Sequence, residues 1–93
     1  MNNQAPRSVV GEPHVANLLL LLLERGEIQA RDLMLVNRNY AKIIQVAREL
    51  ERQGLVDIHE ERSPRLTYIF ALTKSGKKVA EKLIEIQELV HEE

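Results

Sequence analysis

The 93-residue chain contains no cysteine and no tryptophan, one phenylalanine, two tyrosines, three prolines and four glycines. Without cysteine there is no disulfide, no thiolate metal site and no cysteine nucleophile. With so few aromatics, aliphatic side chains must build the core. Neither sign of charge is in excess: 13 Lys and Arg stand against 14 Asp and Glu, a formal charge of -1. That balance excludes coating nucleic acid by bulk positive charge and leaves only a local basic patch, so the charges are read by position. A long hydrophobic run is lacking too. The most apolar stretch, Val15 to Leu23, is broken by Asn17 and is less than half of the ~20 residues that a membrane span needs. It has neither a basic region before it nor a small-residue cleavage site after it. A soluble, cytoplasmic protein with no membrane partner is expected. The length suits one domain with a modest core, and 44% hydrophobic with 29% charged residues is a globular composition.

Residues 1–11 are polar, carry Pro6, Arg7 and Gly11, and read as a mobile N-terminal arm. Glu12-Pro13 reads as a helix start, because Pro at the first helical position loses no hydrogen bond. This helix is expected to reach Arg25 and stop at Gly26. Its six consecutive leucines point in all directions, so one buried face cannot hide them and a second surface is needed. Glu27 to Gln29 is short and extended, and a second helix is expected around Ala30 to Val36. Asn37 to Asn39 forms the next turn, with either Asn able to cap a third helix over about Arg38 to Gln53. Ile43, Val46, Ala47 and Leu50 give that helix one apolar face, and Gly54 closes it. From Leu55 the period switches to two. Val56 and Ile58 alternate with Asp57 and His59, a returning strand covers Leu66 to Leu72, and Arg62-Ser63-Pro64-Arg65 forms the hairpin tip. Thr73 caps a last helix from Lys74. The expected fold is mostly α with a small β-hairpin (α+β), in the order α, β, α, α, β, β, α.

Three helices followed by a hairpin is the order of a winged helix-turn-helix. Leu50-Glu51-Arg52-Gln53-Gly54-Leu55-Val56 resembles the recognition-helix exit of such domains: a core Leu, a polar turn, a Gly cap, then the first wing strand. Leu72-Thr73-Lys74-Ser75-Gly76 resembles the strand-to-helix junction of PadR- and MarR-like winged-helix regulators. The resemblance covers about residues 13 to 90 and extends to small proteins of archaeal plasmids and viruses. It implies a DNA-binding domain over 12–73 and a dimerisation helix over 74–93.

The third helix offers a face that DNA would accept. Arg38, Ala41, Lys42, Gln45, Arg48 and Arg52 lie opposite the apolar face, and no acidic residue occurs from Leu33 through Arg48. Arg and Lys donate to guanine O6 and N7, Gln binds adenine bidentately, and Ala41 admits close approach or meets a thymine methyl. Arg38, Lys42 and Gln45 are assigned to base reading, with Asn37 and Asn39 nearby for phosphates or bases, and Arg48 and Arg52 to phosphates. A merely solvated polar face is the competing reading; sixteen residues without acid on a near-neutral chain favour DNA. Arg62 and Arg65 at the wing tip suit the flanking minor groove or backbone, although Glu60 and Glu61 precede them. Arg31 is a weaker phosphate candidate.

In the last helix Val79, Leu83, Ile86 and Val90 are spaced 4, 3 and 4, a coiled-coil-like seam. With Leu19 and Leu22 of the first helix they form the expected homodimer interface. Lys74, Lys77, Lys78 and Lys82 gather toward the start of the helix and Glu81, Glu85, Glu88, Glu92 and Glu93 toward its end, an order that suits either antiparallel pairing of two copies or a simple solvated face. Catalysis finds no support: His14, His59 and His91 lack metal-ligand spacing and read as surface residues. No serine has an adjacent base and no Gly-rich phosphate loop occurs, so neither an enzyme nor a cofactor is expected. The function expected is a homodimer that binds double-stranded DNA at a palindromic site, as a transcriptional repressor. The alternatives are a plasmid-partition or DNA-organising component that spreads as a higher-order assembly on DNA, and a winged helix used only for protein–protein contact.

Overall fold

The leucine run folds as α1 (Val15–Arg25) in the computed structural model, which describes residues 6–92. Val15, Leu18, Leu19 and Leu22 form the buried stripe, at the i, i+3, i+4, i+7 spacing of one helix face. Leu20, Leu21 and Leu23 are half-buried on its flanks. Leu19 and Leu22, expected at a dimer interface, are therefore corrected: they are 0% and 1% exposed and belong to the protomer's own core. Each leucine closed into that core contributes roughly 1.5–3 kcal/mol, which a lone domain of this size does not forgo.

α1 begins later than Glu12-Pro13 suggests. His14 is left-handed, with φ 71° and ψ -5°, so the helix starts on its far side and its carbonyl accepts the Leu18 N–H at 3.0 Å. The segment before it is not a free arm throughout. Val9–Gly11 form one 3-10 turn, Val9 and Val10 pack against the core, and Arg7 pairs with Glu12 at 3.3 Å. The rest of the expected arm, residues 1–5, and the final Glu93 lie outside the described residues.

After Gly26 comes β1 (Glu27–Gln29), and then a 3-10 helix over Ala30–Leu35 in place of the expected second α-helix. It is held at its start by reciprocal capping, in which Asp32 Oδ2 accepts the Gln29 N–H at 3.0 Å. Leu33, fully buried, anchors it. α2 (Tyr40–Arg52) is capped by Asn39, whose Oδ1 accepts the Lys42 N–H at 3.2 Å. Ile43, Ala47 and Leu50 are buried beneath it, and Gly54, at φ 80°, turns the chain into the sheet.

β2 (Val56–Glu61) and β3 (Thr67–Leu72) form the expected hairpin, with Val56 opposite Leu72 and Ile58 opposite Phe70. β1 joins the other edge of β3, Ile28 opposite Phe70, so the antiparallel sheet runs β1-β3-β2. α3 (Lys74–Val90) starts at Thr73, whose Oγ1 accepts the Gly76 N–H at 2.9 Å. Its first half packs along α1 through buried Ala80 and half-buried Val79 and Leu83; from Ile84 onward every residue is exposed. No helix among the described residues is long and apolar enough to cross a membrane.

Candidate nucleic-acid interface

Burial of Ile43, Ala47 and Leu50 decides what α2 turns outward. Ala41, Lys42, Gln45, Arg48 and Arg52 all lie on its outer side, and Arg38 and Asn39 are exposed in the turn before the helix. All of them are exposed. At 3.6 residues per turn the helical ones share one solvent-facing stripe.

The cations on that stripe differ in what already holds them. Arg38 and Lys42 have no ion-pair partner among the described residues. The Arg48 guanidinium sits 5.7 Å from the centre of the Tyr68 ring on β3, and its Nη1 is 3.7 Å from Glu51 Oε1. Arg52 is held by Glu49, which also accepts from Gln53 Nε2 at 2.8 Å. Those hydrogen bonds, from Gln53 first and then Arg52, hold the Glu49 carboxyl below its ordinary range, so it stays ionised. α2 is thus positive over its first two turns and charge-balanced over its last. The i, i+3 pairs Arg48–Glu51 and Glu49–Arg52 are local and visible in the sequence; attention to the acid-free run alone passes over them.

Asn37 corrects its expected role. Its amide is used at both ends within the protein: Nδ2 lies 2.8 Å from His14 Nε2, and Oδ1 accepts the Asn39 N–H at 2.7 Å. Its oxygen is spent on the turn and one of its two amide hydrogens on the histidine, which fixes the side chain as part of the fold. Asn39 likewise spends its Oδ1 on the helix cap, leaving its exposed amide nitrogen.

At the wing tip Arg62 and Arg65 are both exposed. Arg62 pairs with Glu60 at 2.8 Å, while Arg65 has no ion-pair partner among the described residues. Arg65 and Arg31 line one open groove of about 500 Å³ between the wing and the 3-10 helix. Two arginines separated by 34 residues thus converge, which no local pattern reveals.

Of the expected interface residues on α3, Val79 and Leu83 are half-buried against the protomer's own core, whereas Ile86 and Val90 are 51% and 67% exposed. Ile84 and Leu89 extend this exposed apolar end. It continues into a groove of about 410 Å³ lined by Leu20, Leu21, Leu35, Val36 and Ile84. Leu35, 61% exposed, is an apolar surface residue that sequence periodicity does not single out. No group of three His, Asp or Glu side chains among the described residues could hold a metal ion.

No protein-family model and no curated protein matches the sequence. Solved structures do resemble it. A transcriptional regulator homologue from Pyrococcus horikoshii OT3 is 22% identical, with a TM-score of 0.77 over 88% of this chain and 83% of that one. YodB from B. subtilis, treated with diamide, is 17% identical, with a TM-score of 0.71 over 94% of this chain and 92% of that one. ZitR from Lactococcus lactis is 16% identical, with a TM-score of 0.74; the match covers 85% of this chain and 60% of that one. At such identities the likeness is one of fold: the chain is a winged helix-turn-helix, with α2 in the place of the recognition helix and the β2–β3 hairpin as the wing.

Proposed function

We propose that the chain binds double-stranded DNA sequence-specifically as a homodimer and acts as a transcriptional regulator that occupies a palindromic site. The observation that carries this reading is the start of α2. Arg38, Ala41, Lys42 and Gln45 are exposed together there, and the two cations have no acidic partner among the described residues. Placed in a major groove, Arg38 and Lys42 donate to guanine O6 and N7, Gln45 pairs with adenine, and Ala41 leaves room for a thymine methyl. Arg48, leaning on Tyr68, reaches for the backbone beside the helix. Arg65 with Arg31, and Arg62 at the tip, meet the flanking duplex.

The exposed end of α3 supports the dimer. Ile84, Ile86, Leu89 and Val90 are large apolar side chains turned to water, a patch that a second copy would cover. In such a dimer the two α2 helices would enter successive major grooves about 34 Å apart, and hence read a palindrome. Resemblance in fold to several transcriptional regulators agrees with this role.

Selection of bound sequences from random duplex DNA, followed by footprinting at rising protein concentration, tests the reading. One discrete protected palindrome is expected. A protected tract that grows outward would replace the regulator with a spreading, partition-like role. No enrichment at low salt would leave α2 as a surface for protein contact.

A further inference from the structure

His14 is the only non-glycine residue with positive φ among those described, and it ties α1 to the turn before α2. Its ring Nε2 is 2.8 Å from Asn37 Nδ2 in a partly buried contact between residues 23 apart in the chain. An amide nitrogen only donates, so Nε2 accepts and the ring proton lies on Nδ1. The other end of Asn37 accepts the Asn39 N–H at 2.7 Å, and Asn39 Oδ1 in turn accepts the Lys42 N–H at 3.2 Å. Three side chains thus run from the left-handed start of α1 to the cap of the helix end that presents Arg38, Ala41 and Lys42.

We propose that His14 is a positioning residue for DNA reading: its neutral imidazole orients Asn37, and protonation of the ring loosens the turn that leads into the recognition-helix cap. The inference rests on the DNA-binding reading above. An imidazolium carries N–H on both nitrogens and cannot accept. It then faces the Asn37 NH2 donor to donor. If the amide turns over to offer Oδ1 to the ring, the Asn39 N–H loses its acceptor. Either way one bond of the relay is lost and the turn loosens. The charged groups around it are few. The segment before α1 contributes Glu12, engaged by Arg7, and the 3-10 helix contributes Arg31 and Asp32, the latter bound to the Gln29 N–H. The turn and α2 contribute Arg38 and Lys42, while α3 meets the core through Val79, Ala80 and Leu83.

Acidification makes the protein more positive and by itself strengthens DNA binding, so the proposed effect has the opposite sign. The test measures affinity of the full chain for its selected duplex at pH 7.5 and pH 5.5, by fluorescence anisotropy at fixed salt. Wild type and His59→Gln should each lose about fivefold on acidification, the cost of about one hydrogen bond. His14→Gln keeps an acceptor that does not titrate, so it should match wild type at pH 7.5 within about threefold and lose nothing at pH 5.5. His14→Ala should bind about fivefold more weakly at pH 7.5, for want of the same hydrogen bond. In ¹⁵N spectra of the free protein, the Asn37 side-chain NH2 and the Asn39 N–H should titrate together in wild type and stay still in His14→Gln. That arm needs no DNA and remains decisive if His14→Ala does not fold. Equal pH dependence in wild type and His14→Gln, or amide signals that ignore pH, would overturn the proposal. Wild type that binds no duplex at pH 7.5 would remove the DNA-binding reading itself, a different outcome from an altered pH profile.

Discussion

Gly76 stands where α3 crosses the exit of α2, and adding one methyl group there should cost more than any surface change to the domain. A Cβ at this position would lie 1.9 Å from the Leu55 carbonyl oxygen, 2.9 Å from its carbon and 3.2 Å from Leu72 Cδ2. Ordinary contact requires about 3.4 Å or more, so the two backbones must separate by more than 1 Å. They are fastened together at that point. Leu55 O accepts the Thr73 N–H at 3.1 Å, Leu55 N–H donates to Leu50 O at 2.9 Å, and the Thr73 hydroxyl donates to Gly54 O at 2.6 Å. Overpacking costs about 1–3 kcal/mol, and each of the two hydrogen bonds from Thr73 forfeits roughly 1 kcal/mol if it opens. Against this, Gly→Ala inside a helix gains about 1 kcal/mol. Gly76→Ala should therefore destabilise by about 2–4 kcal/mol, out of a total of roughly 5–14 kcal/mol for a domain of this length. Urea unfolding with an unchanged m-value measures it. Gly11→Ala is the control, since nothing lies within 4 Å of its added Cβ, and it should stay within about 0.5 kcal/mol of wild type. A Gly76→Ala protein as stable as wild type, or stabilised by the helix-propensity gain alone, would refute the close crossing of α3 over Leu55.

Gln45→Ala removes a neutral, exposed side chain from the stripe, so it should relax preference at one base pair per half-site by about 1–3 kcal/mol while the salt slope stays put; a changed slope with intact preference would reverse the docking of α2. Lys42→Ala should relax preference at one guanine per half-site by about 1–3 kcal/mol; unchanged preference with a lower salt slope would reassign the lysine to a phosphate. Glu49→Gln frees Arg52 and removes a negative charge, so affinity should rise on all sequences in titrations at low salt; acidification to pH 5 should not reproduce this, because Gln53 and Arg52 hold the carboxyl ionised there. Ile86→Glu puts charge on a side chain that is 51% exposed in the protomer, and sedimentation should show it as a folded monomer of 10.7 kDa where wild type sediments at about twice that mass. Leu83 is the poorer choice, because it packs on the protomer's own core and its removal would confuse dissociation with unfolding.

The features legible in the sequence are those that local chemistry determines. Asn39 and Thr73 cap the helices that follow because a short polar side chain reaches the third amide on. Ile43, Ala47 and Leu50 declare the buried face of α2 by their period, and Val56 and Ile58 declare the inner face of the wing by theirs. The leucine run is different. Six identical residues carry no phase, so which of them face inward follows from Val15, one turn earlier, and from what α2, β3 and α3 bring against the helix. That is why residue pattern alone puts Leu19 and Leu22 on the wrong side. β1 escapes notice as a sheet member for a similar reason: a three-residue strand with one inward Ile28 has no period to read until β3 pairs with it.

The candidate site divides along the same line, and the division bears on how a chain of net charge -1 could attract a polyanion, as the proposed function requires. Positive charge free to act is concentrated at the start of α2, on Arg38 and Lys42, with Arg65 and Arg31 converging from the wing and the 3-10 helix. Acid is placed where it quenches the rest: Glu49 and Glu51 on the last turns of α2, Glu60 at the wing, Glu12 on Arg7. Counting charges by sign over a window finds the first group and misses the second, because a pair is an event of geometry. Asn37 shows the limit most clearly. Its neighbours in sequence suggest a phosphate contact, yet its fate is decided by a histidine 23 residues away. A positive patch that is small, with its edges neutralised, lowers non-specific affinity for any phosphate backbone and, on the proposed reading, would leave discrimination to the few side chains at the start of α2. On the proposed reading such a domain would need two copies to hold a site, and the exposed apolar end of α3 offers a surface on which a second copy could pack.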